Sequence, residues 1–334
     1  LGVPLRLSQR SHRPPRSRWN RSRRPEESGH AGKTGGLLRM NSELRRDLTA
    51  KDGPLAGAVI TDVSPVGGGC IHQAWKLRLS DGQVLFAKSG GASALPLFEV
   101  EAEALEALHA QADASFLVVP QPIALAALPH GAVLLLPWLD FGGSDQTALG
   151  RGLALLHQSS MASSPARFGW HRDGFIGAGS QPGGWRDDWG SAFVELRLRP
   201  QLDILDGLQQ DSMDLNPLLL RLAEHLNEHQ PCPALVHGDL WGGNAASLSD
   251  GRGSIFDPAS WWADREVDLA MTRLFGGFGE AFRSGYREVI PDASGADGRV
   301  EIYNLYHLLN HANLFGGSYL SQCRASLKDL ARRL

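Results

Sequence analysis

The chain predicts an α+β fold in two lobes: a small N-terminal lobe with an antiparallel sheet and one helix, and a larger, mainly helical C-terminal lobe. Two observations carry this. From about residue 56 to residue 139, short alternating or apolar runs are separated by turn signals, with one helix-period stretch among them. After Asp140 the apolar spacing becomes helical almost throughout. The lobes are therefore placed at 40–139 and 140–334, with 1–39 as a separate tail.

In order, AGAVITDVSPV reads as a strand, Gly67-Gly68-Gly69 as a turn, and IHQAWKLRLS as a second, alternating strand. Asp81-Gly82 marks a hairpin, and VLFAKS is a third strand. Residues 96–111 put Phe98, Ala102, Leu105 and Leu108 on one face, which predicts a helix. The windows around Val118-Val119 and over AVLLLPWL supply two more strands to this lobe. Beyond Asp140, helices are expected over ALGRGLALLHQ, WRDDWGSAFVELRLRPQLDIL, LNPLLLRLAEHLNEH, REVDLAMTRLF and IYNLYHLLNHANLF. ALVH and SIFD interrupt them as short apolar pieces.

The tail differs in kind. It holds ten Lys and Arg against Glu26 and Glu27, with little apolar periodicity, and is expected to be disordered. A start assigned too far upstream, with Met40 as the true beginning, is the simpler expectation. Gly32-Lys33-Thr34 is no phosphate loop, because Glu27 stands where that pattern needs glycine.

Composition excludes several classes. A formal charge of −3 leaves no nucleic-acid footprint. Three cysteines, none in C-x-x-C, make neither a disulfide framework nor a zinc site, and fit a cytoplasmic setting. Residues 115–139 carry no charge, but Pro120, Pro122, Pro129 and Pro137 break any membrane helix there.

The chemistry concentrates in a few positions. Glycines 67–69 let backbone N–H groups approach phosphate oxygens. Lys88 ends an apolar strand and needs a partner, which Glu101 or Glu103 of the next helix could be; such a pair positions nucleotide phosphates in kinases. In HGDLWGGN, Asp239 and Asn244 show the D-L-x-x-x-N spacing of a kinase catalytic loop. Asp257 follows thirteen residues after Asn244. One carboxylate would accept or orient a hydroxyl proton, while an amide and a second carboxylate would hold Mg²⁺.

HGDLWGGN followed by FDPASWWADREVDLAMTRLFGGF resembles the fructosamine (ketosamine) 3-kinase family, relatives of aminoglycoside and choline kinases with a protein-kinase-like fold. The likeness runs over about 56–325 and includes GGGCI, VLFAK, FEVEAEAL and YNLYHLLNHANLFGG. It implies ATP- and Mg²⁺-dependent phosphorylation of the 3-hydroxyl of a small-molecule or protein-linked ketoamine. It further implies that Lys88 contacts the phosphates and is held by Glu101. Leu136, Pro137, Trp138 and Leu139 form the adenine hinge, Asp239 is the base, and Asn244 and Asp257 bind metal. Asp268 braces the catalytic loop with His237. Asp264, Arg265 and Glu266 lie near the sugar, and Trp241, Trp261, Trp185 and Arg197 are wall or support positions. One departure is Gly183, where the family commonly has Asn. Another small-molecule kinase of the aminoglycoside or choline type shares Asp239, Asn244 and Asp257 but not LWGGN or WWADRE. A pseudokinase is disfavoured because all these polar residues are present.

Cys70 follows the glycines directly. It packs under the turn or, as in relatives with a cysteine here, forms a redox-linked homodimer. His307 and His311 stand i, i+4 apart, but the Glu of a zinc-hydrolase motif is missing, so packing is expected of them.

Overall fold

The computed structural model describes residues 40–67, 72–205 and 214–334. The tail over 1–39 and the expectations for Gly68, Gly69 and Cys70 lie outside these residues.

The first described element is a helix ahead of the expected structured region. In α1 (Ser42–Thr49) Leu44 and Leu48 are buried one turn apart, and Asn41 Oδ1 caps it by accepting from Glu43 N–H at 2.8 Å. The first lobe continues with β1 (Ile60–Val66), β2 (Gln73–Leu79), β3 (Val84–Gly90), α2 (Leu95–Gln111), β4 (Leu117–Val118), β5 (Ala124–Leu128) and β6 (Gly131–Pro137). Its sheet has the order β1-β2-β3-β6-β5, with antiparallel neighbours throughout. Gly82, at φ +92°, closes the β2–β3 hairpin, and Asp81 Oδ1 accepts from Gln83 N–H at 2.9 Å.

Both faces of this sheet are covered, which explains the unbroken apolar run of β6. Leu134 and Leu136 pack with Phe98, Leu105 and Leu108 of α2, whereas Val133 and Leu135 pack with Leu48, Trp75 and Leu77. The strand expected around residue 118 is corrected. β4 leaves the sheet and pairs in parallel with Gly253 and Ser254 of the second lobe. Its place is taken by β5, whose alanine-rich sequence carries a weak strand signal.

The second lobe runs through α3 (Thr147–Ala162), β7 (Phe168–Trp170), β8 (Gly174–Ile176), β9 (Gly179–Gln181), β10 (Gly184–Arg186), α4 (Trp189–Phe193) and α5 (Arg199–Ile204). It continues with α6 (Asn216–Glu228), β11 (Ala234–Val236), β12 (Ala245–Ser247), β13 (Gly253–Ile255), β14 (Trp261–Ala263), α7 (Glu266–Leu274), α8 (Glu280–Arg287), α9 (Ala296–Phe315) and α10 (Ser318–Arg333). Its core gathers Trp189, Phe193, Leu222, Trp261, Tyr303 and Leu309.

The single helix expected over 185–205 is divided. Trp185 and Arg186 belong to β10, and Asp188 Oδ1 caps α4 by accepting from Ser191 N–H at 2.8 Å. A π turn, Val194–Leu198, separates α4 from α5. Pro200 lacks an N–H, and its ring crowds the carbonyl four residues back, so the helix widens just ahead of it. Among the described residues no helix is long and apolar enough to cross a membrane.

Candidate active site

The site begins where β11 ends. Gly238 takes φ +81°, and a Cβ there would meet the Ala259 carbonyl oxygen at 2.2 Å, so only glycine fits. Asp268 of α7, wholly buried, accepts from His237 N–H at 2.7 Å and Gly238 N–H at 2.8 Å. His157 of α3 approaches the same carboxylate at 3.2 Å. Burial alone would raise the pKa of Asp268, but the His157 contact and these donors hold it below its ordinary value. His237 Nε2 donates to Phe256 O at 2.9 Å, leaving Nδ1 to accept from Asp239 N–H at 3.3 Å. Burial lowers the His237 pKa, which favours this neutral ring.

The segment then folds back on itself. Trp241 N–H bonds Asp239 O at 3.1 Å, and Asn244 N–H bonds Trp241 O at 2.9 Å. Asn244 Nδ2 thereby reaches Asp239 O at 2.9 Å, Asp239 Oδ2 at 3.2 Å and Asp257 O at 3.4 Å. Burial, and after it the charge of Asp257, push the Asp239 pKa up to about 7 against the Asn244 hydrogen bond. A carboxylate with a pKa so near neutrality suits proton transfer. Trp241 stays partly exposed and lies across Gly243, where a Cβ would meet its ring at 2.3 Å.

Asp257 follows β13 with φ +57°, an uncommon conformation for a residue with a side chain. Its Oδ1 lies 2.5 Å from Lys88 Nζ, which also donates to Glu101 Oε1 at 2.7 Å. Lys88 sits opposite Leu134 in the β3–β6 register. Burial would depress its pKa, but the charges of Glu101 and Asp257 outweigh it and raise the value. Of the two glutamates considered, Glu101 is thus the partner. Glu103 instead accepts from Trp170 Nε1 at 3.0 Å and pairs with His171 at 3.1 Å and Arg172 at 3.5 Å. These contacts tie α2 to β7 and the loop after it, and so steady Glu101.

The remaining candidates are distributed as follows. Gly67 follows β1, with open space where a Cβ would be. Leu136 and Pro137 close β6, and Trp138 and Leu139 follow it. Trp138 Nε1 donates to Asp140 Oδ1 at 2.8 Å, and Lys76 Nζ lies 4.1 Å above the Trp138 ring.

The three residues expected near the sugar each have partners within the protein. Asp264 is buried and accepts from Tyr303 Oη at 2.6 Å, with His229 at 3.2 Å. Glu266 is buried and takes Arg299 through two bonds of 2.7 and 2.8 Å. Arg265 donates to Pro291 O at 2.9 Å and to Tyr286 Oη at 3.3 Å. These side chains are engaged within the protein. The carboxylates of Asp264 and Glu266 converge with His229, but Tyr303 and Arg299 already fill that cluster. Trp261, expected as a wall or support position, is wholly buried, with the Arg197 guanidinium 3.7 Å from its ring centroid.

Gly183 has a local reason. A Cβ there would lie 2.2 Å from the Arg172 carbonyl oxygen, so the loop has no room for a side chain such as Asn. His157 was missed in the sequence. Its signal was a lone histidine on the apolar face of LGRGLALLHQ.

A lysine–glutamate pair in a five-stranded lobe, facing an Asp–Asn loop and a second Asp in a helical lobe, defines a phosphotransferase of the protein-kinase-like class. The sequence model of the fructosamine kinase family matches residues 45–333. The chain belongs to that family. A probable ketoamine kinase of Synechocystis is 43% identical over 271 residues, covering 80% of this chain and 89% of that protein. A chloroplastic protein-ribulosamine 3-kinase of Oryza sativa subsp. indica is 37% identical over 283 residues, covering 82% and 80%. The crystal structure of a candidate fructosamine-3-kinase from Haemophilus somnus superposes with a TM-score of 0.72 at 27% identity, covering 86% and 96%.

Proposed function

We propose that this protein transfers the γ-phosphoryl group of ATP to the 3-hydroxyl of ketosamines, ketose sugars joined to an amine, and so initiates deglycation of proteins or amino acids. The observation that carries the reading is the convergence of Lys88, Glu101, Asp257, Asn244 and Asp239 in a chain whose relatives bear ketoamine and ribulosamine kinase names. Asp239 accepts or orients the proton of the attacking hydroxyl. Lys88, held by Glu101, draws the phosphates into line. Such catalysis is positioning and charge neutralisation.

The donor set fits Mg²⁺. Among the described residues Asn244 makes all its side-chain bonds through Nδ2, which leaves its amide oxygen for a cation, and Asp257 adds a carboxylate. Bound there, Mg²⁺ would neutralise charge on the phosphates. Leu136 to Leu139 would meet the adenine, Gly67 to Gly69 the phosphates, and the exposed Trp241 the C–H face of the sugar.

Phosphate at C3 explains the consequence for the substrate. Enolisation toward C1 allows the C3 phosphate to be eliminated, and hydrolysis of the resulting imine frees the amine. ADP release should be measured with ribulosamines, fructosamines, aminoglycosides and choline as acceptors. Turnover is expected with the ketosamines; turnover confined to aminoglycosides or choline would overturn the assignment.

A further inference from the structure

The HLLNH segment of α9 carries two histidines, His307 and His311, one helical turn apart. His311 Nδ1 bonds the carbonyl oxygen of His307 at 2.8 Å, and its ring lies among Phe275, Phe315 and Tyr319. His307 packs against the catalytic loop instead, with Nδ1 4.0 Å from Asp239 Oδ1. It is 1% exposed, and neither ring nitrogen has a hydrogen-bond partner among the described residues. Burial, then the neighbouring His311, press its pKa down to about 3, so the ring is neutral with one N–H and one lone pair.

The facing carboxylate is half satisfied. Asp239 Oδ2 is held by Asn244, while Oδ1 accepts no hydrogen bond among the described residues. Two polar atoms without partners therefore face each other just beyond bonding range. Buried nitrogens without partners are uncommon. Catalytic hydrogen bonds are often long until the substrate complex forms.

We infer that His307 is a positioning residue whose Nδ1–H donates to Asp239 Oδ1 in the complex with ketoamine and nucleotide, fixing the rotation of the carboxylate against the 3-hydroxyl. The inference rests on the assignment of Asp239 as the base. Held only through Oδ2, the carboxylate is free to turn, and a misplacement of about 1 Å costs on the order of 100-fold in rate. His307 takes no proton and touches no reacting atom.

The test is steady-state kinetics with ATP and a ribulosamine for the parent, His307→Leu, His307→Asn and His307→Gln. Asn places an amide near the Nδ1 position, whereas Gln carries it one methylene further. The Leu variant is expected to lower kcat by about 10- to 100-fold, with both KM values unchanged. Asn should restore most of kcat, and Gln should not. Parental kcat in the Leu variant, or an Asn variant no better than Leu, overturns the inference. If Leu does not fold, Asn and Gln decide it, because equal activities sink the idea. Asp239→Asn measured alongside separates the two claims. An active Asp239→Asn enzyme removes the underlying assignment. An inert one beside a fully active His307→Leu enzyme removes only the role of His307.

Discussion

Asp239→Asn is expected to lower kcat by about 100- to 10,000-fold, the usual contribution of a positioned general base, while ATP still binds. The amide keeps the shape of the side chain and loses the proton acceptor and its charge. Lys88, Glu101 and Asp257 are untouched, so calorimetric titration should return an ATP affinity close to the parent's. The same substitution has an opposite effect on stability. Burial raises the Asp239 pKa to about 7 in the folded protein from 3.8 as its ordinary value. The folded state thus holds the proton more tightly, and ionisation costs stability progressively as pH rises between those values. In metal-free buffer, Asp239→Asn should match the parent near pH 4 and melt at a higher temperature near pH 8. Loss of turnover with a gain in stability distinguishes a catalytic carboxylate from a structural one. An equally active variant would remove Asp239 from the mechanism.

The second large effect is at Asp257. Asn is the informative replacement, because it tolerates the left-handed conformation at φ +57° whereas Ala would add backbone strain. Asp257→Asn leaves Lys88 paired with Glu101 and removes the second carboxylate. Turnover should fall by about 100- to 1,000-fold, in line with the loss of one group that stabilises transferring charge. The diagnostic is ATP affinity with and without Mg²⁺. In the parent, Mg²⁺ is expected to strengthen binding; in the variant the two titrations should converge. A variant that keeps the full Mg²⁺ dependence would place the metal elsewhere.

How much of this was legible depends on how far apart the interacting residues are. The catalytic loop was legible because its chemistry is local: Asp239, Asn244 and the backbone bonds of Trp241 lie within six residues. Lys88 was legible because a lysine at the end of an apolar strand demands a partner, and the next helix offered two glutamates. The choice between them was not, since Glu103 is claimed by Trp170, His171 and Arg172 in the other lobe. Three-residue strands such as β7, β10 and β14 carry too little periodicity and exist only through one another. Only the family resemblance places Asp264 and Glu266 near the sugar. Their partners Tyr303 and Arg299 stand 39 and 33 residues away, a distance that no local pattern reveals. The burial of Trp261 follows likewise from Arg197, which reaches it from the π turn.

The central claim is the position of the transferred phosphate. Phosphorus NMR of the protein with Mg²⁺, ATP and a ribulosamine or fructosamine tests it most directly. The account predicts a phosphate ester on the C3 oxygen that then decays to inorganic phosphate as the free amine appears. A stable ester on any other hydroxyl, or no ester with any ketosamine, would contradict it.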